Sequence, residues 1–475
     1  MYMYIPTNPN KTPPFHVHFV GIGGIGTSAL AWWFLAQKWR ISGSNLESNT
    51  ITNLLKKNGV SVKIGHSARN LPPHTHLVIY STAVPSSNPE IRQAVRMKLP
   101  IFSYPQAIGC LTRNYNTIAV AGSHGKSTTT ALTALTLIAG KKDPTVIIGT
   151  LLKEFGEKNF RNGKSRLLVL EADEWRGAFL HYSPQSVIVT NIDREHLDYY
   201  RSLSDIKATF LQFLQQTREG GNLVLNSDDP HLASLAPRIS DIAAQRHLQV
   251  HWYTRSSRAA EKVRRVIHIP GAHNTSNALA AFTAATKIFR IPSSRALRAL
   301  ATYRGAWRRM ELRGVAKLAG TKWALRIIDD YAHHPTEIRA TIAALREQAP
   351  RTPLICVFQP HQAARLKLLY REFITAFSGA DGLIILPPYR VAGRDRHSRS
   401  KDSAEQSQKL ARDISARTPP RPVLYLDNPS QIQNAIRRIC NTFADDPVWK
   451  RAKRATVVMM GAGDIVQFTP LLFQS

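Results

Sequence analysis

Short apolar runs alternate along almost the whole chain with longer stretches in which apolar residues recur at helical spacing. The runs at 16–20, 117–121 and 167–170 predict strands, and the stretches at 27–37 and 128–137 predict helices. Strands that alternate with helices are typical of α/β proteins with largely parallel sheets. The sequence therefore predicts α/β architecture throughout.

The chain has 475 residues, which is enough for about three domains, each with a hydrophobic core of ordinary size. Two stretches indicate joints between domains, one near 109–116 and one near 313–321. We therefore predict three domains, with the bounds 1–112, 113–312 and 313–475.

A glycine-rich loop follows the first predicted strand and precedes the first predicted helix. Strand, glycines and helix in this order form the dinucleotide fingerprint, in which backbone N–H groups and the helix N-terminus face a diphosphate. An NAD site usually has an acidic residue at the end of the next strand, where this chain has Asn45, so NAD is disfavoured. NADP stays open, because Lys38 and Arg40 lie nearby. The loop glycines are Gly21, Gly23, Gly24 and Gly26.

A second phosphate loop follows the strand at 117–121. It is a shortened P-loop, because Gly122 and Gly125 are three residues apart instead of five. Lys126 is placed to reach the β- and γ-phosphates of ATP, and Ser127 is placed to hold Mg²⁺. Two phosphate loops in successive domains predict two nucleotides, one recognised and one consumed. This combination is typical of a ligase that acts on a nucleotide-linked substrate.

Carboxylates follow two further predicted strands. Glu171, Asp173 and Glu174 end one strand, and Asp193 with His196 follows another. Beside a P-loop, the ends of neighbouring strands are where a further Mg²⁺ ligand belongs. The sequence therefore predicts a further Mg²⁺ ligand at these two strand ends.

The charge is unusual, at 63 Lys and Arg against 32 Asp and Glu, or +31. The three predicted domains carry +8, +12 and +11, so the excess is distributed and does not form a basic arm. A generally basic surface that attracts nucleotides is the favoured interpretation, and specific nucleic-acid binding is not expected. The first eleven residues lack the order of a signal peptide, no apolar run is long enough to span a bilayer, and three distant cysteines match no metal spacing. We expect a cytoplasmic protein without a membrane partner.

Taken together and in order, these motifs resemble the Mur ligases of peptidoglycan synthesis. The Asp-Asp-Tyr-Ala-His-His-Pro run at 329–335 and the Phe-Gln-Pro-His run at 358–361 narrow the resemblance to the alanine-adding branch and the peptide-recycling branch. Later-step members carry a lysine at the position that aligns with Phe210, which favours the alanine-adding branch. The other matching segments are 18–26, 81–90, 122–130, 171–174, 190–198, 271–277, 308–309 and 461–464.

The resemblance implies a Rossmann-like first domain, a P-loop ATPase-like central sheet and a Rossmann-like third domain. It implies an ATP- and Mg²⁺-dependent enzyme that joins L-alanine to the carboxylate of UDP-N-acetylmuramate through an acyl phosphate, as a monomer or weak homodimer. The implied catalytic residues are Lys126, His196, Glu171, His333, His361 and Arg365. The resemblance also implies metal ligands, with Ser127 and Glu171 on one Mg²⁺ and His196 on a second. The implied ATP-binding residues are Gly122, Ser123, His124, Gly125, Lys126, Ser127, Thr128, His273, Asn274, Asn277 and Asp330. The implied substrate-binding residues are Gly21, Gly23, Gly24, Gly26, Ser44, Asn45, Ser81, Arg309, Tyr331 and His334.

Three alternatives remain open at this point. The first is a recycling ligase with a peptide as the amine, since sequence does not settle the size of the amine pocket. The second is an NADP-dependent dehydrogenase that carries a P-loop. The third is a nucleic-acid-stimulated ATPase, which only the charge favours, because the aromatic-basic pattern of single-strand binders is missing from the sequence.

Overall fold

The structure is a computed structural model, and it describes residues 15–389, 400–417 and 421–474. The first eleven residues, on which the expectation about a signal peptide rests, lie outside these ranges. The chain forms two compact units. The first unit contains residues up to 267 together with 275–303, and the second contains 268–274 together with the residues from 304 onward.

The first unit begins with a five-stranded parallel sheet in the order β3-β2-β1-β4-β5. Its strands are β1 (His16–Val20), β2 (Arg40–Asn45), β3 (Ser61–Ile64), β4 (Leu77–Tyr80) and β5 (Ile101–Ser103). Its helices are α1 (Ile25–Ala36), α2 (Thr50–Lys57), α3 (Pro89–Arg96) and α4 (Tyr104–Asn114). This order and the parallel pairing confirm the Rossmann-like prediction for the first domain.

A seven-stranded sheet in the order β12-β11-β10-β6-β9-β7-β8 completes the first unit. Its strands are β6 (Asn116–Ala121), β7 (Thr145–Leu152), β8 (Lys158–Arg161), β9 (Leu167–Glu171), β10 (Ser186–Val189), β11 (Asn222–Asn226) and β12 (Gln249–Tyr253). Only the pair of β7 and β8 is antiparallel. The helices are α5 (Lys126–Ala139), α6 (Leu203–Gln215), α7 (Pro230–Ala233), α8 (Ala236–Gln245), α9 (Arg258–Val266), α10 (Ala272–Thr283) and α11 (Ser293–Thr302). Residues 118–121 and 187–189 are buried because both faces of this parallel sheet are covered.

The second unit contains a six-stranded sheet in the order β13-β14-β18-β15-β16-β17, parallel except for β13. Its strands are β13 (Glu311–Lys317), β14 (Ala324–Asp330), β15 (Leu354–Phe358), β16 (Gly382–Ile385), β17 (Val423–Tyr425) and β18 (Arg454–Met460). Its helices are α12 (Pro335–Gln348), α13 (Ala363–Leu368), α14 (Tyr370–Ala376), α15 (Ser400–Ser415) and α16 (Ile432–Asp445). Three layered α/β sheets confirm the predicted fold class.

The two predicted joints contain regular structure. Helix α4 continues to Asn114, so only Tyr115 separates it from β6. Gly109, which suggested a break, lies inside this helix, where a Cβ would be 2.4 Å from the carbonyl oxygen of His181. It is therefore a close-packing glycine and not a helix breaker. The predicted bound between 312 and 313 falls inside β13.

None of the helices in the described residues has the length and apolarity that crossing a membrane requires.

Candidate active site

The first glycine loop is held by backbone and side-chain contacts from the end of β2. Gly21 has a φ of 82°, and its N–H donates to the carbonyl of Ser44 at 2.9 Å. The amide oxygen of Asn45 accepts a hydrogen bond from Gly23 N at 3.0 Å. A neutral amide thus supplies the acceptor at the position where an NAD site usually has an acidic residue. Thr27 Oγ1 donates to Gly21 O at 2.7 Å, which ties the loop to the first turn of α1.

A buried carboxylate lies behind this loop. The hydroxyl of Ser44 donates to Glu90 Oε2 at 2.7 Å, and His18 Nε2 lies 2.8 Å from the same oxygen. His66 Nδ1 lies 2.9 Å from Glu90 Oε1. Burial would raise the pKa of Glu90, but the hydrogen bonds from His18, His66 and Ser44 outweigh it and lower that pKa to about 2. Ser44, which we expected to bind substrate, is fully buried, and its hydroxyl serves this network.

We expect Glu90→Gln to lower the free energy of unfolding by about 3 kcal/mol at neutral pH, because charged hydrogen bonds are lost from a buried cluster. The folded pKa of Glu90 is below its ordinary value of 4.5, so its contribution is full above that value and is lost as the pH falls towards 2. Denaturant unfolding at several pH values should show the two proteins converging below about pH 4.5. A constant difference across that range would contradict the assignment.

The glycines of the P-loop, between β6 and α5, are required by close neighbours. Gly122 has a φ of 134°, and a Cβ there would lie 2.0 Å from Thr190 Oγ1. Gly125 has a φ of 81°, and a Cβ there would lie 2.3 Å from Asn277 Oδ1. No other residue type fits either position without moving its surroundings. Asn277 therefore lies against the P-loop.

The middle of the P-loop is fixed by the residues that follow β10. His124 N donates to Asn191 Oδ1 at 2.8 Å, and His124 Nε2 lies 2.9 Å from Asp193 Oδ2. Asp193 N donates to Ser123 Oγ at 2.8 Å. Asn191 and Asp193 thus hold Ser123 and His124, two of the predicted ATP-binding residues, in place. A motif match alone does not reveal this supporting role.

Lys126 forms a buried ion pair with Glu174. Its Nζ lies 2.7 Å from Glu174 Oε2 and donates to Gly122 O at 2.8 Å. The Glu174 side chain is 1% exposed, and that of Lys126 is 13% exposed. Burial lowers the pKa of Lys126, but the Glu174 carboxylate more than compensates and holds that pKa above its usual value. Lys126 is therefore a fixed positive charge at the P-loop.

Glu171 and Ser127, two of the predicted metal ligands, are in direct contact. Ser127 Oγ donates to Glu171 Oε1 at 2.9 Å, and Gly149 N on β7 donates to Glu171 Oε2 at 2.6 Å. A Cβ on Gly149 would lie 2.7 Å from Glu171 Oε1, so a larger residue at this position would displace the carboxylate. A hydroxyl beside a carboxylate at a P-loop is a donor set that Mg²⁺ accepts.

His196, the third predicted ligand, groups with Asp173 and Glu174. Its Nε2 lies 3.5 Å from Glu174 Oε1 and 3.9 Å from Asp173 Oδ1, and the three ligand atoms lie within 4.8 Å of one another. Burial lowers the pKa of His196, but the nearby Glu174 carboxylate outweighs it and raises that pKa. Among the residues that the structure describes, the buried Glu174 Oε1 has no hydrogen-bond partner. A buried oxygen without such a partner, next to a second carboxylate and an imidazole, fits a divalent cation.

In the second unit, Asp330 ends β14, and its carboxylate accepts three hydrogen bonds. Its oxygens accept from Met310 N at 2.8 Å, from Ala332 N at 2.9 Å and from Thr341 Oγ1 at 3.0 Å. Burial raises the pKa of Asp330. The carboxylate, which we expected to contact ATP, therefore also fixes the turn between β14 and α12.

The turn that follows Asp330 brings several predicted residues together. His333 Nδ1 lies 3.1 Å from Glu337 Oε2, and Arg309 Nη1 lies 3.7 Å from Glu337 Oε1. The Arg309 guanidinium lies over the Tyr331 ring at 4.8 Å, and the rings of His333 and His361 are 5.5 Å apart. Glu337, one turn into α12, was missed because nothing in its local sequence separates it from a surface carboxylate.

Two further predicted residues of this unit contact their neighbours locally. Arg365 Nη1 lies 3.1 Å from His361 Nδ1, which couples the two predicted catalytic groups. His334 begins α12, and its Nδ1 accepts from Thr336 N at 3.2 Å, so one ring nitrogen caps the helix.

Three of the predicted ATP-binding residues, His273, Asn274 and Asn277, are divided between the units. Residues 268–274 belong to the second unit, where a Cβ on Gly271 would lie 2.7 Å from His273 Cε1 and where Asn274 Nδ2 donates to Pro270 O at 2.7 Å. Asn277 belongs to the first unit and lies against Gly125, as described above.

The structure also places three further residues that the sequence analysis named, which are Ser81, Phe210 and Thr128. Ser81 N donates to the carbonyl of Val20, and Ser81 Cβ lies 3.0 Å from the place of a Cβ on Gly21, so Ser81 borders the first loop. Phe210 is fully buried and meets Phe179 edge-on at 5.2 Å, which makes it a core residue. Thr128 is buried in the first turn of α5.

Three family models match successive parts of the chain. They are the catalytic domain of the Mur ligase family at residues 16–116, the Mur ligase middle domain at 120–285 and the glutamate ligase domain of the Mur ligases at 308–463. The chain belongs to the Mur ligase family, whose members are ATP-dependent ligases.

Within that family, the chain is similar to UDP-N-acetylmuramate–L-alanine ligases. It is 37% identical to that of Desulforapulum autotrophicum, over 80% of this chain and 84% of the relative. It is 39% identical to that of Syntrophus aciditrophicus, over 79% of each chain. The solved UDP-N-acetylmuramate-alanine ligase of Thermotoga maritima matches with a TM-score of 0.74 at 26% identity, over 96% of this chain and 97% of that one. A murein peptide ligase from Psychrobacter arcticus shares the fold, with a TM-score of 0.67 at 21% identity, over 97% and 99%.

Proposed function

We propose that this chain is an ATP-dependent ligase that joins L-alanine to the carboxylate of UDP-N-acetylmuramate in peptidoglycan precursor synthesis. The observation that carries the proposal is the buried Lys126–Glu174 pair at a P-loop whose Ser127 contacts Glu171. The similarity to L-alanine ligases, at 37–39% identity over about four fifths of the chain, supports L-alanine over a peptide. The protein acts in the cytoplasm, as a monomer or weak homodimer and without nucleic acid.

The chemistry has one main electrostatic obstacle. An anionic carboxylate must approach an anionic triphosphate before the γ-phosphoryl group can transfer and give an acyl phosphate. Lys126 supplies a permanent positive charge at the phosphates, and the loop N–H groups add preorganised donors. Mg²⁺ would be held by Ser127 and Glu171, and a second ion by Asp173, Glu174 and His196. When bound, these ions neutralise charge on the transferring group.

The second step requires an unprotonated amine. His333 and His361 carry imidazoles, the side chains that most often act as general bases, and Glu337 and Arg365 hold them in place. In this proposal one of them accepts the proton of the attacking amine, while Arg309 and Tyr331 bind substrate. The glycine loop at Gly21–Gly26 binds the UDP-sugar, and Asn45 contributes to that binding by holding the loop.

Phosphate release from ATP tests the proposal when each component is omitted in turn. Release should require both UDP-N-acetylmuramate and an amino acid, with L-alanine preferred over glycine and L-serine. The preference over glycine should be moderate, because one methyl group in a pocket is worth about 1–3 kcal/mol. Release with a tripeptide but not with L-alanine would transfer the assignment to the recycling ligase. Release without any UDP-sugar would refute it.

A further inference from the structure

The antiparallel pair of β7 and β8 contacts both the start of α1, at the first glycine loop, and Glu171 at the end of β9. On β7, Gly149 N donates to Glu171 Oε2 at 2.6 Å, so this strand fixes a predicted metal ligand. On β8, the side-chain amide of Asn159 donates to the carbonyl of Ile25 and, at 2.9 Å, to Ser28 Oγ. Ile25 is the first residue of α1 and lies within the first glycine loop. The two contacts therefore join the UDP-sugar loop to the carboxylate of the ATP site.

Asn159 is well suited to such a link. Its side chain is 1% exposed, and its two partners in α1 are 131 and 134 residues away in sequence. Both contacts use the same NH₂ group, so replacing it with a carboxylate oxygen would set one acceptor against another. A buried amide that loses its partners destabilises the folded state, so the contact holds the first turn of α1 in place.

The first glycine loop is also closely packed against α4. A Cβ on Gly26 would lie 2.9 Å from Cζ of Tyr104, which begins α4. Lys158, beside Asn159, contacts α1 differently, with its Nζ 4.6 Å from the centre of the Trp32 ring. Lys158 therefore touches the same helix without a hydrogen bond to its first turn, and it provides a matched control.

We propose that Asn159 is a positioning residue for the ligation, which holds the UDP-sugar loop at a fixed distance from Glu171. The inference rests on the proposed function. The muramyl carboxylate must meet the γ-phosphoryl group in line, and these two ligands are bound by loops that belong to different sheets. A misplacement of about 1 Å between reacting atoms costs as much as 10²-fold in rate, so a residue that sets this distance affects turnover more than binding.

The test compares Asn159→Asp and Asn159→Ala with Lys158→Met in the full-length protein. Both Asn159 variants should lower kcat about 10- to 100-fold. Their dissociation constants for UDP-N-acetylmuramate and for a non-hydrolysable ATP analogue should each stay within about threefold of wild type, since neither loop loses a ligand contact. Ser28→Ala removes one of the two acceptors and should give a smaller loss of kcat, and Lys158→Met should be close to wild type. An unchanged kcat in both Asn159 variants, or a loss equal in Lys158→Met, would overturn the inference.

Hydrogen exchange separates this inference from the proposed function. Asn159→Asp should speed exchange of the first-turn amides of α1 while those of α5 keep their wild-type protection. A wild-type protein that does not turn over UDP-N-acetylmuramate and L-alanine would refute the proposed function. In that case hydrogen exchange alone tests whether Asn159 holds the first turn of α1. Unchanged protection of those amides in Asn159→Asp would overturn that role. Loss of protection throughout the unit would also overturn it, because the residue would then stabilise the fold in general.

Discussion

Replacing Lys126 with methionine is expected to lower turnover about 10²- to 10³-fold, by analogy with the loss of one donor from a preorganised anion site. The lysine is the fixed positive charge at the P-loop, and its ion pair with Glu174 holds its pKa above the usual value. Steady-state phosphate release measures the effect. Lys142→Met is the control, because Lys142 is exposed just beyond the other end of α5.

The same change should destabilise the protein, because Glu174 is left as a buried charge without its partner. Breaking a buried ion pair from one side costs about 3–5 kcal/mol. The double variant Lys126→Met/Glu174→Gln removes both charges and should recover most of that stability without recovering turnover. Recovery of turnover in the double variant would contradict the role of Lys126 in catalysis. Wild-type stability in the single variant would contradict the ion pair.

Replacing Glu171 with glutamine is expected to lower turnover about 10²-fold or more, since a carboxylate at a site of phosphoryl transfer is lost. The glutamine oxygen can still accept from Gly149 N, and its NH₂ group can donate to Ser127 Oγ, so the local fold should persist. The remaining activity should need a higher Mg²⁺ concentration than wild type. Calorimetric binding of UDP-N-acetylmuramate should be nearly unchanged, because that ligand is bound by the first glycine loop.

Glu154→Gln is the matched control for charge, since Glu154 is an exposed carboxylate just after β7. It should behave as wild type in both assays. If Glu171→Gln kept full turnover with an unchanged Mg²⁺ requirement, the metal role of Glu171 would be wrong. Loss of UDP-N-acetylmuramate binding would instead show that Glu171 supports the first domain.

The parts of the fold that the sequence predicts well depend on local signals. The strand-glycine-helix order around Gly21 and Gly122 predicts both phosphate loops, because positive φ angles and close approaches leave glycine as the residue that fits. The contact of Ser127 with Glu171 follows from the rule that strand ends meet at one edge of a parallel sheet. Local reasoning is less reliable for helix ends, and Gly109 shows why, since its tight packing against His181 is invisible in the sequence.

The parts that could not be predicted depend on pairings over long sequence distances. Glu174 was seen as one carboxylate in a cluster, but nothing near it indicates that it faces Lys126, which is 48 residues away. Asn159 lies in a short strand without any motif, and its partners are more than 130 residues away. Glu90 ends a recognisable motif, yet only the fold shows that it joins His18, His66 and Ser44. These groups become partners only when distant strands, helices and loops of the first unit have come together in the fold.

The central claim is that ATP activates the muramyl carboxylate by phosphoryl transfer. It is tested most directly with UDP-N-acetylmuramate that carries oxygen-18 in that carboxylate, incubated with ATP, Mg²⁺ and L-alanine. An acyl phosphate places one carboxylate oxygen between carbon and phosphorus, and amine attack then expels it with the phosphate. The account predicts oxygen-18 in the released phosphate, one atom for each amide bond formed. Amide formation with unlabelled phosphate, and with the expelled oxygen-18 recovered in water instead, would contradict it.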